Sequence, residues 1–166
     1  MDKIIFTEKI VELSDSLYRM ARSILLDEEK AKDAVQDLLL KLWEKREKLD
    51  RVENLPLFAL KSLRNLCLDN LRKKIVTNEI PQELLSTGPD LVEQLEQKYI
   101  SKVVTRLINE LPELQRSVMR LRDVEGYEIK EISFIMSSNE NAVLVNLSRA
   151  RKKIKEQLLA MKIKNL

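Results

Sequence analysis

Histidine is missing altogether from this 166-residue chain, and cysteine occurs once, as Cys67. The first absence excludes histidine-based acid–base chemistry. Together the two leave a metal ion only an all-carboxylate shell, and a lone thiol cannot staple a fold. Cys67 reads as a small buried apolar residue. Glycine is limited to two residues and aromatics to 4%, so few positions invite a chain reversal or a stacking surface. No apolar run reaches the roughly 18 residues of a membrane helix. The opening "MDKIIFTEKIVEL" is amphipathic and too acidic for a signal peptide. The expectation is a cytoplasmic chain with no membrane insertion, no cofactor and no enzymatic activity.

What is present is apolar (44%) and charged (34%) in the proportions of a globular chain. Leu, Lys, Glu and Arg dominate, which favours helices. Net charge is only +3, but it is unevenly spread. Residues 1–74 carry 16 basic and 14 acidic side chains, residues 75–100 carry 1 and 5, and residues 101–166 carry 13 and 8. The basic last third suits a polyanionic partner.

Apolar residues recur at helical spacing almost throughout, and no run alternates at the strand period. The spacing predicts helices over about 5–25, 28–48 and 55–74, then about 91–109, 113–123, 128–136 and 139–161. Asp27 caps the second, with Glu28 and Glu29 in its first turn. Asn54 and Pro56 mark the third start. Between the blocks, "IVTNEIPQELLSTGPD" over 75–90 holds two of the four prolines and one of the two glycines, and reads as a linker. Pro112 starts one later helix, and Gly126 interrupts the chain before the next. The expected fold is all-α: two small helical domains, 1–74 and 101–166, joined by a linker over 75–100. Domains this small bury only about 60% of their unfolded surface, so each is marginal alone.

Residues 128–161 have the layout of a helix-turn-helix. Ser137 with Glu140, or alternatively Asn139, caps the last helix. On a helical wheel Val143, Leu147, Ala150, Ile154 and Leu158 share the core side. The opposite side shows Asn141, Val145, Ser148, Arg149 and Lys152, flanked by Leu144 and Lys155. Asn and Arg pair with base edges, Ser and Lys with phosphates, and an apolar side chain meets a thymine methyl. A solvated basic face at a helix C-terminus is the plainer alternative.

The stretches "LPELQRSV", "EGYEIKEIS" and "LSRARKKI" resemble region four of the extracytoplasmic-function sigma factors of bacterial RNA polymerase. The resemblance implies binding of the minus-thirty-five promoter element by Asn141, Val145, Ser148, Arg149, Lys152 and Lys155, and contact with the flap of the β subunit. Three positions depart from that pattern: Ser137 and Asn141 stand where Gly is common, and Leu144 where Lys or Arg is usual. A non-Gly residue in a left-handed turn costs about 1 kcal/mol. One phosphate contact fewer lowers the salt-dependence slope by about 0.9.

In the predicted helix over 28–48, Ala31, Val35, Leu38, Leu39 and Leu42 face inward, with Trp43 at the boundary. Asp33, Gln36, Asp37, Leu40 and Glu44 face out. Leu40 is either an ordinary exposed leucine or the centre of a docking patch with a polar rim. "LYRMARSILLDEEKAKDAVQDLLLKLWEKREKL" followed by "FALKSLRNLCLDNLRKK" is similar to region two of the same family. That likeness implies docking on the β′ clamp helices through Asp33, Gln36, Asp37, Leu40, Lys41 and Glu44. It also implies capture of the minus-ten element as a single strand by the helix over 55–74, with Lys61, Arg64, Asn65, Arg72 and Lys73 as the DNA-facing set. The family further implies an anti-sigma factor as regulator. Two rivals remain open at this point: a dimeric stand-alone helix-turn-helix regulator, and a diverged sigma-like protein acting through protein contacts alone.

Overall fold

The structure is a computed structural model that describes the backbone of residues 1–76 and 96–164 and the side chains of 1–73 and 101–162. The regular elements of the described residues are helical. They are α1 (Lys3–Leu25), α2 (Glu28–Glu44), a 3₁₀ turn (Arg46–Arg51), α3 (Leu55–Val76), α4 (Glu96–Asn109), α5 (Glu113–Met119), a π turn (Arg120–Val124), α6 (Ile129–Ile135) and α7 (Glu140–Lys164). The chain divides into two compact units, the first carrying α1, α2 and α3 and the second carrying α4, α5 and α7. The predicted linker falls largely outside the described residues.

Three of the helices, α2, α3 and α7, begin where a side chain satisfies an orphan amide. The Asp27 carboxylate accepts from the Lys30 amide at 2.9 Å, and Asn54 Oδ1 accepts from the Leu57 amide at 3.1 Å. Asn139 Oδ1 accepts from the Ala142 amide at 2.8 Å, so Asn139 is the cap of α7. Ser137 does a different job: with φ +51° it closes α6 in the left-handed conformation. Its amide donates to the Phe134 carbonyl and the Ser138 amide to the Ser133 carbonyl. That pair of bonds is a Schellman motif with serine where glycine is usual.

In the first unit α1, α2 and α3 pack mutually, and the innermost side chains are Leu17, Leu60, Leu63 and Cys67. Trp43 lies half-buried at the edge of α2. Phe6 meets its ring edge-on, with centroids 5.4 Å apart. The Arg46 guanidinium lies 4.4 Å from the ring centroid and donates to the Trp43 carbonyl at 3.1 Å. This anchorage explains why α2 stops at Glu44 and the chain tightens into a 3₁₀ turn, instead of continuing to 48. The turn then buries Leu49.

In the second unit α7 packs on α5 and α4, enclosing Leu107, Leu111, Val118, Val143, Leu147 and Ala150. The helix expected over 113–123 is regular only to Met119. Beyond it the Glu125 amide bonds to the Arg120 carbonyl, five residues back, which widens the last turn. Gly126, at φ +80°, then reverses the chain, a conformation that costs glycine nothing. Leu158 is 37% exposed, not core. From Lys155 to Lys162 no residue of α7 is fully buried, and the half-buried ones are Gln157 and Met161, which continue the core side in place of Leu158.

Candidate protein and nucleic-acid interfaces

On α2 all six residues expected to meet a protein partner are exposed: Asp33, Gln36, Asp37, Leu40, Lys41 and Glu44. Their spacing of three and four places them on one stripe, and Leu40, 61% exposed, sits at its centre. Around that leucine no ion pair among the described residues engages Asp33, Asp37 or Glu44. Glu28 and Glu29 are different, since Lys32 lies 3.2 and 3.8 Å from their carboxylates. The hydrogen bond to Glu28 and both carboxylate charges raise the Lys32 pKa above its ordinary value. The acidic character of the stripe therefore belongs to the three carboxylates beside Leu40. An apolar centre with a charged rim has the composition of a docking patch.

The basic face expected on α3 is smaller than the sequence indicated. Asn65, Arg72 and Lys73 are exposed and Lys61 is half-buried, but Arg64 is only 4% exposed. The reason lies in the register. Arg64 follows Leu60 by four residues and precedes Cys67 by three, so at ~100° per residue it lies about 40° from the buried stripe. Both neighbours are almost wholly buried. Arg72 lies 3.7 Å from Asp69, an exposed pair one turn apart that holds little energy. Phe58 is half-buried.

The outward face of α7 matches expectation. Asn141, Val145, Ser148, Arg149, Lys152 and Lys155 are all exposed, as is Leu144 at 50%. Val143, Leu147, Ala150 and Ile154 are buried on the opposite side. Lys152 reaches Glu156 only at 4.0 Å, leaving its charge available to a stronger anion.

Four arginines of this unit do something the sequence reading missed. Arg116 is 6% exposed, and its Nη1 donates to the Leu111 carbonyl at 2.7 Å and the Asn109 carbonyl at 3.3 Å. Arg120 Nη2 donates to Asn109 Oδ1 at 2.9 Å. Burial lowers the pKa of both guanidinium groups, and the carbonyls at the end of α4 are the compensation, as expected of cations at a helix C-terminus. Arg122 donates to the Tyr127 carbonyl at 2.8 Å. Arg151 makes a two-pronged contact with Asp123: Nε to Oδ2 at 3.1 Å and Nη2 to Oδ1 at 2.6 Å. The available signal was the arginine pair one turn apart, Arg116 and Arg120, on a helix too short to leave both in water.

A short helix, a turn and a basic helix late in the sequence, with an acidic, leucine-centred helix early in it, is the combination to set against known proteins. Residues 10–75 match the profile of the Sigma-70 region 2 family, and residues 101–154 match that of Sigma-70, region 4. The chain is a sigma-70 factor of the extracytoplasmic-function group. It is 29% identical over 159 residues to RNA polymerase sigma factor SigV of Bacillus subtilis (strain 168), across 94% of this chain and 92% of that protein. In fold it is similar to the sigma factor RpoE of Bartonella quintana, solved in complex with the anti-sigma factor NepR. The TM-score is 0.76 at 24% identity, covering 92% of this chain and 96% of that one. It is also similar in fold to CnrH, solved in complex with the cytosolic domain of CnrY, with a TM-score of 0.69 at 19% identity over 96% and 90% of the two chains. The sigma factor binds core RNA polymerase and promoter DNA and directs promoter recognition and transcription initiation. Sigma factors are non-enzymatic polymerase subunits. No helix among the described residues is long and apolar enough to cross a membrane.

Proposed function

We propose that the sigma factor divides its labour between the two exposed faces described above. The α2 stripe of Asp33, Gln36, Asp37, Leu40, Lys41 and Glu44 docks on the β′ clamp helices of core polymerase, and residues 1–74 act as the unit that also captures the minus-ten element. Asn65, Arg72 and Lys73 follow the single strand there, with Lys61 at the edge. Residues 101–166 carry the minus-thirty-five reader, in which Asn141, Val145, Ser148, Arg149, Lys152 and Lys155 of α7 enter the major groove. Residues 75–100 join the two, and contact with the β flap steadies the second. The single observation that carries the polymerase assignment is Leu40, 61% exposed inside a rim of carboxylates that form no ion pair among the described residues.

Co-purification with core polymerase tests this. Asp37→Lys is expected to weaken capture at least tenfold while leaving the melting temperature unchanged, because the site is exposed. Undiminished capture would remove the α2 stripe from the interface.

Regulation follows from the same surfaces. An anti-sigma factor that covers them would hold the protein idle in the cytoplasm; the solved complexes of RpoE with NepR and of CnrH with CnrY give that reading its support. Leu144 gives α7 a particular preference: beside Val145 it offers an apolar contact to a thymine methyl. Replacing thymine by uracil in the minus-thirty-five segment deletes only that methyl. About 0.8 kcal/mol, or roughly fourfold in affinity, is expected to go with it. Equal binding of the two duplexes would rule the methyl contact out.

A further inference from the structure

Arg151 belongs to the basic run at the end of α7, yet it differs in placement from its neighbours. It follows the buried Leu147 by four residues and precedes the buried Ile154 by three, so it rises from the border between core and DNA-facing side. Its guanidinium does not extend outward with those of the face. Two of its nitrogens fit the two oxygens of Asp123, at 3.1 and 2.6 Å. Asp123 is not on a flexible tip. It lies inside the π turn, fixed on one side by the Glu125 amide bonded to the Arg120 carbonyl. On the other side Tyr127 bonds through its amide to the Leu121 carbonyl and through its carbonyl to Arg122.

An ion pair this exposed contributes little to stability. What a two-pronged arginine–carboxylate contact does supply is direction. It joins the middle of α7 to a turn at the far end of α5, and a contact at that point resists rolling of the helix about its own axis. The roll of α7 decides which side chains meet the base edges.

We propose that Arg151 is a positioning residue: its contact with Asp123 sets the roll of the promoter-reading helix, and it does not itself hold a phosphate. This inference rests on the assignment of α7 as the minus-thirty-five reader.

The test uses full-length protein assembled with core polymerase. The probe is the duplex that the wild-type holoenzyme enriches from a pool randomised over the minus-thirty-five segment. Asp123→Ala is expected to lower affinity about tenfold, because a reader displaced by even 1 Å loses heavily. The opposite sign is expected if Arg151 grips a phosphate, since removing Asp123 would free the cation and delete a repelling charge. Arg151→Ala is expected to give a similar loss with an unchanged salt slope, and the double variant no more than either single one. Lysine serves well against a phosphate but cannot fill a two-oxygen fork, so Arg151→Lys is expected to behave like Arg151→Ala.

Three results would each overturn the proposal: affinity unchanged or raised in Asp123→Ala, near-normal binding by Arg151→Lys, or a slope lowered by about 0.9 in Arg151→Ala. Arg149→Ala is measured on the same duplex. If it weakens binding while Asp123→Ala does not, only the positioning role falls. If it has no effect, the assignment of α7 falls too, and the inference with it.

Discussion

In the first unit the centre is aliphatic, with Leu17, Leu60 and Leu63 packed around Cys67 and charge kept almost wholly at the rim. In the second, Arg116 is buried against backbone carbonyls, Arg120 holds Asn109, and Arg122 and Arg151 brace the π turn. Both units are small, and a small domain has little apolar surface to bury. The first meets that shortage by concentrating leucine. The second spends cations on its own frame, so its high count of basic residues overstates what it offers to DNA. Arg149, Lys152 and Lys155 are what remain on the outward face of α7.

The contrast can be broken most severely from the apolar side. Leu63→Ala empties a site that is fully enclosed and is expected to cost about 2–5 kcal/mol. The protein has one tryptophan, Trp43, and it belongs to the first unit. The loss should therefore appear in the thermal transition followed by tryptophan fluorescence. A shift smaller than that of a surface control such as Lys41→Ala would contradict the packing described.

Arg116→Met is the counterpart for the second unit, with a smaller expected loss of about 1–3 kcal/mol. It removes the donor to the Leu111 and Asn109 carbonyls and leaves acceptors buried. Far-UV circular dichroism follows both units, while fluorescence follows the first. The variant should lower the dichroism transition and leave the fluorescence transition in place. A stabilised protein would mean that the desolvation of this guanidinium outweighs its bonds, as occurs for some buried charges.

Much of this was legible from residue spacing, and the exceptions share a cause. Helix starts were visible because Asp27, Asn54 and Asn139 each have side-chain oxygens suited to an orphan amide. The outward stripes of α2 and α7 were visible because their apolar residues recur cleanly at three and four. Arg64 was misplaced because it is polar by composition but lies beside the core by register. Leu158 was misplaced for the converse reason: it is apolar by composition, but at its level the half-buried residues of α7 are Gln157 and Met161. A wheel records direction and not what stands opposite, and long arginine side chains bury their stems wherever a partner awaits the head. For the same reason the internal engagement of Arg151 could not be read from "LSRARKKI". Asp123 is 28 residues away, and only the π turn brings it into reach.

The finest comparison lies between two residues with left-handed backbone. Leu26, at φ +54°, ends α1 with its amide on the Arg22 carbonyl, and Ser137, at φ +51°, ends α6. Each bears the penalty of a Cβ where glycine would be unstrained, about 1 kcal/mol. Their side chains differ in use. Leu26 is half-buried and Ser137 is exposed, so replacing Leu26 by glycine gives up packing as well as strain, while Ser137→Gly gives up almost none. Against the relief stands the added freedom glycine grants the unfolded chain, of similar size. Ser137→Gly is therefore expected to raise stability by a few tenths of a kcal/mol, and Leu26→Gly to lower it. If both variants were destabilised alike, the strain at Ser137 would be offset by its own contacts, and the serine would be the better residue for that turn.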